Sequence, residues 1–218
     1  MEIEVEKTRQ EVLVVQLPKV HTRVINFHEV KTEIIRKAIH FLIALSPTLA
    51  ELNHPLTMIF LMAGTLFYTW VEYLRLSGIN VPLISSITNM ASRTRDKGRF
   101  VLGPVTLGLG ALLSLLLYPS PAATIAIYAL AFGDGVASLV GKLFGRYRPA
   151  FLRGKSLEGS IACFMAVFLA AYYVCWDYKI ALSAAISATL AEALPIRDYD
   201  NLIIPLIVGF TVKLVAGV

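Results

Sequence analysis

Long apolar runs separated by short polar connections define the layout of this chain. Seven such runs cover residues 39–52, 56–73, 101–118, 122–141, 157–176, 180–194 and 202–218. Several approach the roughly 20 residues that an α-helix needs to cross the hydrocarbon core of a bilayer. The first and sixth are short, and residues 30–38 add an amphipathic lead-in to the first, predicting one longer helix that starts in the interface. The pattern predicts an all-α, polytopic membrane helix bundle of about seven transmembrane helices.

Composition supports that pattern. Of 218 residues, 56% are hydrophobic and 16% charged, against roughly 45–50% and about 25% in soluble domains. A small soluble domain is excluded. Residues 1–32 carry charges of both signs and no signal-type apolar core, so they read as a cytoplasmic N-terminal segment rather than a cleaved leader, preceding a transmembrane domain at 33–218. Cys163 and Cys175 fall in one apolar run with no nearby histidine, which fits packing better than zinc or a disulfide framework.

A net charge of +5 can indicate nucleic acid, but the basic residues collect in alternate connections. Arg36 and Lys37 precede the first run; Arg75, Arg93, Arg95, Lys97 and Arg99 fill the second connection; Lys142, Arg146, Arg148, Arg153 and Lys155 fill the fourth. The positive-inside rule makes these the cytoplasmic sides, with the N-terminus inside and the C-terminus outside. No nucleic-acid partner is expected.

Against this background Asp134, in Gly133-Asp134-Gly135, is anomalous. An aspartate near the centre of a membrane helix costs roughly 2.5–3.5 kcal/mol on insertion scales, so it needs a base, a proton or a metal. Gly133, Gly135 and Gly141, with Gly159 on the next run, leave nearly bare backbone suited to close helix approach. Such faces can pack within one bundle or between two copies.

The second polar cluster is Gly154-Lys155-Ser156-Leu157-Glu158-Gly159-Ser160. It is not a nucleotide-hydrolase phosphate loop, because the first glycine of that motif would fall at Pro149 and no strand precedes it. A glycine, a lysine and a hydroxyl at a helix start still assemble an anion site. The competing reading makes Ser156 a helix cap and Lys155 a topology anchor. Further candidates are Arg36 and Lys37 with His40 on one helix face, and the acids Glu192, Asp198 and Asp200, which suit an oxygen-seeking divalent cation.

Taken in order, Arg36-Lys37-x-x-His40, Leu102-Gly103-Pro104-Val105-Thr106-Leu107, Gly133-Asp134-Gly135, Gly154-Lys155-Ser156-x-Glu158-Gly159-Ser160, and Glu192 followed by Asp200-Asn201-Leu202 resemble the dolichol kinase, phytol kinase and CTP-dependent diacylglycerol kinase family, within the phosphatidate cytidylyltransferase superfamily. The resemblance spans roughly residues 33–210. It implies transfer of the terminal phosphate of CTP to a lipid hydroxyl (polyprenol, phytol-like alcohol or diacylglycerol) with a divalent cation such as Mg2+. Arg36, Lys37, Asp134 and Lys155 would then be required. The terminal signatures of true phosphatidate cytidylyltransferases are missing.

Phosphoryl transfer asks mainly for positioning and charge neutralisation. The catalytic set expected here is Asp134, Lys155, Glu192 and His40. Arg36, Lys37, Lys142, Arg146, Arg148, Gly154, Lys155 and Ser156 would bind nucleotide, and Asp134, Glu192 and Asp200 would hold metal at the cytoplasmic face. Asp134, His40 and Glu192 all remain candidates for the group that accepts the lipid proton. A CDP-lipid-forming cytidylyltransferase is the rival enzyme, and a small membrane transporter the rival of another class.

Overall fold

The computed structural model describes residues 27–79, 81–92, 96, 98–152 and 154–217. Expectations resting on residues 1–26, and on Arg93, Arg95, Lys97 and Arg153, lie outside the described residues.

The described residues form helices and no strand. In chain order they are α1 (Phe27–Leu42), α2 (Ser46–Leu52), α3 (His54–Leu76), α4 (Pro82–Ala91), α5 (Gly103–Leu117), α6 (Ala122–Tyr128), α7 (Gly135–Leu143), α8 (Leu157–Cys175), α9 (Tyr178–Ala193) and α10 (Asp200–Ala216). A π-helical segment, Ala129–Asp134, joins α6 to α7 without a break in the helical path. Among the described residues three helices are long and apolar enough to cross a membrane: α3, the continuous Ala122–Leu143 and α8, with α5 a shorter apolar helix.

Two departures from the sequence pattern have local causes. The first span is not one helix, because a 3-10 turn at Ile43–Leu45 separates α1 from α2. Pro47, near the start of α2, has no N–H to give the carbonyl four residues earlier, so the α-helical ladder cannot run through. The basic second connection contains a helix of its own, α4, which buries Ser85 and Thr88 and exposes Ile87 and Met90. The other helix starts follow ordinary capping: Asn53 Oδ1 accepts from Leu56 N, and Asp177 Oδ1 from Lys179 N.

Helix faces are sorted by size rather than polarity. On α8 the inward stripe is Gly159, Cys163, Val167 and Ala171, while Ile161, Met165, Leu169 and Tyr173 face outward. On α9 the buried positions are mostly alanine, with Leu182, Ile186 and Leu190 exposed. Lipid tails are as apolar as leucine, so helices in a bilayer associate through close packing of small residues. Hydroxyl groups in the helices close on their own backbone, as Thr65 Oγ1 does on Leu61 O and Ser114 Oγ on Gly110 O.

The helix carrying Asp134 is the central one. In its most apolar window 67% of residues are buried, against 17% for α3 and 28% for α8. Around it pack α8, α9 and α10 on one side and α1 on another. The junction of α5 with α10 depends on Pro205, which cannot bond the carbonyl of Asn201 within its own helix. Gly110 lies so close to that free oxygen that an added Cβ would stand 2.2 Å from it. The Asn201 side chain completes the junction, its Nδ2 donating to Gly103 O and Thr106 Oγ1, both at 3.1 Å.

Candidate functional site

Asp134 closes the π-helical segment and is 4% exposed. Its glycine neighbours let two helices close on either side: a Cβ on Gly133 would lie 2.7 Å from Val167 of α8, and one on Gly135 would lie 2.7 Å from the Phe41 ring of α1. The approach of α1 brings the buried Lys37 onto Asp134, with Nζ donating to Oδ2. His40 lies one turn further on, its Nδ1 3.5 Å from the same oxygen, while Ser138 Oγ donates to Oδ1 at 3.4 Å. His40 is 3% exposed, and its Nδ1 has no hydrogen-bond partner. The face shared by Lys37 and His40, legible from their spacing, is therefore the one that meets the aspartate.

Arg36 turns away from this pair, to Glu33 at 2.5 Å. Glu33 also reaches Lys142 Nζ of α7 at 3.6 Å. The sequence reading omitted Glu33. The signal was present in an acid three residues before Arg36, a spacing at which side chains meet on a helix.

The second cluster pairs Lys155 with Glu192 of α9, Nζ to Oε1 at 2.9 Å, with a further bond to the Glu192 carbonyl. Ser160 Oγ donates to Glu192 Oε2 at 3.5 Å. Asp200, in the first turn of α10, is within electrostatic reach of Asp134, Lys37, Lys155 and Arg36. The two polar clusters therefore share one neighbourhood. Glu33, Asp134, Glu192 and Asp200 meet Arg36, Lys37, Lys142 and Lys155 there, so the formal charges cancel.

The remaining candidates serve the connection between α7 and α8. Ser156, expected on phosphate, is 3% exposed and its Oγ accepts from Gly159 N at 3.1 Å as the cap of α8. Gly154 turns the chain with φ +97°. The exposed Arg148 donates to Gly154 O and Gly141 O, which ties its guanidinium to the loop. Glu158 Oε1 accepts from the backbone N–H groups of Arg146 and Tyr147. Gly141 and Gly159 face each other where α7 crosses α8: a Cβ on Gly159 would lie 2.9 Å from Ala137 O and 3.3 Å from Gly141 Cα.

Among the described residues no three His, Cys, Asp or Glu side chains cluster tightly enough to hold a metal ion unaided. Magnesium, however, is usually held by one or two carboxylates together with substrate phosphates and water. Asp134 and Asp200, two carboxylates in one polar neighbourhood, have the donor chemistry of that mode. Asp134 is engaged by Lys37, and Glu192 by Lys155 through both its carboxylate and its carbonyl.

Fold and site together define a helical membrane protein with a buried, charge-balanced centre on its central helix. Among known proteins, a probable chloroplastic phytol kinase of Oryza sativa is 28% identical over 159 residues, which is 64% of this chain and 50% of that protein. Phytol kinase 1 of Arabidopsis thaliana is 29% identical over 160 residues, or 64% of this chain and 53% of that protein. An uncharacterized protein of Methanocaldococcus jannaschii is 29% identical over 190 residues, covering 83% of this chain and 93% of that protein. The match therefore spans about half the length of the plant phytol kinases. No protein-family model matches the chain, and no solved structure does. The chain is thus similar to proteins named as phytol kinases.

Proposed function

We propose that this protein is a CTP-dependent lipid-alcohol kinase, transferring the terminal phosphate of CTP to the hydroxyl of a membrane lipid. The observation that carries the reading is the buried Lys37–Asp134 pair beside His40, in one neighbourhood with Lys155, Glu192 and Asp200. The relatives named as phytol kinases support an alcohol acceptor. The CTP donor rests on the ordered motifs of the sequence.

In this mechanism Lys37 and Lys155 exchange carboxylate partners for phosphate oxygens as nucleotide enters, while Arg36 and Lys142 add phosphate contacts from beside Glu33. Asp134 and Asp200 would hold a divalent cation, which supplies neutralisation of the charge on the β- and γ-phosphates. The lipid hydroxyl oxygen bonds to the γ-phosphorus, the bond from that phosphorus to the β,γ-bridging oxygen breaks, and CDP leaves. We assign the hydroxyl proton to His40, whose Nδ1 is buried beside Asp134 without a hydrogen-bond partner. A row of half-buried rings, Phe41 on Phe132 at 5.9 Å and Tyr128 on Phe132 at 5.5 Å, gives the lipid body an apolar wall next to the site. The reaction is assigned to the cytoplasmic face, where the basic connections point.

The rival enzyme chemistry differs in what it releases. Purified protein given CTP, Mg2+ and a lipid alcohol should release CDP and form a lipid monophosphate. Release of pyrophosphate with a CDP-lipid would replace this reading with a cytidylyltransferase. Nucleotide-independent flux of a solute into liposomes, without turnover, would replace it with a transporter.

A further inference from the structure

We propose that Glu33 is a positioning residue that sets Arg36 and Lys142, from two different helices, side by side as one phosphate-binding pair. The inference rests on the reading of the site as a nucleotide site. Glu33 engages the two cations through separate oxygens: Oε1 meets Arg36 Nη2 at 2.5 Å and Oε2 meets Lys142 Nζ at 3.6 Å. Without a carboxylate between them, two cations brought this close would repel and spread apart.

The exposures separate this role from that of a simple helix clamp. The Glu33 side chain is 3% exposed, whereas those of Arg36 and Lys142 are 21% and 20% exposed. The acid therefore lies deeper than the two cations, each of which keeps about a fifth of its side chain exposed. Arg36 also has its Nε buried without a hydrogen-bond partner, so its guanidinium keeps donor capacity. The helices need no clamp at this point, since Phe41 of α1 already packs against Gly135 of α7. A buried ion pair is weak evidence of stabilisation in any case, because desolvation offsets much of its attraction. A guanidinium fork beside an ammonium suits the oxygens of a polyphosphate.

The test is steady-state kinetics of the full chain in lipid nanodiscs, for the wild type, Glu33→Gln and Glu33→Asp. Glu33→Gln should raise the KM for Mg·CTP ~10-fold, the factor worth about 1.4 kcal/mol, while kcat and the KM for lipid alcohol stay within about twofold. Glu33→Asp keeps the charge on a shorter arm and should fall between Glu33→Gln and the wild type. Thermal melting in the same nanodiscs identifies any variant that fails to fold, and Glu33→Asp then carries the comparison. An unchanged KM for Mg·CTP in folded variants, or a loss of kcat and melting temperature with that KM unchanged, would overturn the proposal. If the wild type turns over no nucleotide, the kinase reading fails by itself. Equilibrium binding of tripolyphosphate then decides on Glu33: ~10-fold weaker binding by Glu33→Gln supports the proposal, and equal binding overturns it.

Discussion

Lys37 and Asp134, separated by 97 positions in the chain, meet as a buried ion pair where α1 packs against the central helix. Neither charge is tolerable there alone. Removing one partner of a buried pair costs about 3–5 kcal/mol, because the other charge is left uncompensated, while replacing both is often near neutral. We expect Asp134→Asn and Lys37→Met each to lower the melting temperature in detergent, and the double variant to recover most of the loss. Turnover should not recover in the double variant. Additive destabilisation would mean that the two residues do not act as a pair.

His40 makes a different prediction, since its Nδ1 stands beside Asp134 without a hydrogen bond. His40→Ala should lower kcat by about 10²–10⁴-fold, the range for losing a positioned general base, with little change in either KM. Steady-state kinetics over lipid alcohol and nucleotide checks it. A kcat within twofold of the wild type would transfer the proton-accepting role elsewhere.

The crossing of α7 and α8 holds Lys155 at the site, because Lys155 precedes the capped start of α8. Gly159→Ala puts a methyl group 2.9 Å from the Ala137 carbonyl, a backbone atom with no freedom to rotate away. The helices must separate, and overpacking of this kind costs typically about 1–3 kcal/mol. Gly64→Ala is the control, since its Cβ meets nothing within 4 Å. Melting should fall for the first and not for the second; equal behaviour would refute the close-approach role.

Glu72, by contrast, is a structural acid. It is 1% exposed, binds Arg75 at 2.7 Å through both oxygens, and accepts from Val101 N at 2.8 Å, tying the end of α3 to the start of α5. Glu72→Gln should lower stability by about 1–3 kcal/mol, read as melting temperature, while folded protein keeps its kcat.

The apolar runs and the small-residue faces were legible because a bilayer imposes length and composition on each span separately. Asp134 was legible for the same reason, as a cost without a visible partner. Its partner was not: Lys37 read as a nucleotide-binding base on one helix face with Arg36 and His40, and only tertiary packing sets it on the aspartate. Ala129–Asp134 has the composition of an ordinary α-helix, so nothing in it announced the π-helical turns. Pro47 was visible, but its effect depended on where the helix ladder happened to run. Ser156 fitted both an anion site and a cap, and the observed hydrogen bond to Gly159 N fills the cap role.

The central claim is that a phosphoryl group passes from CTP to a lipid alcohol at Asp134. The direct measurement is transfer of label from γ-labelled CTP, with γ-labelled ATP in parallel, to phytol, a polyprenol and diacylglycerol in liposomes containing wild-type protein or Asp134→Asn. Label should appear in one lipid class, from CTP, with the wild type, and fall to background with folded Asp134→Asn. Full transfer by Asp134→Asn, or no labelled lipid from the wild type with any donor, would contradict the account.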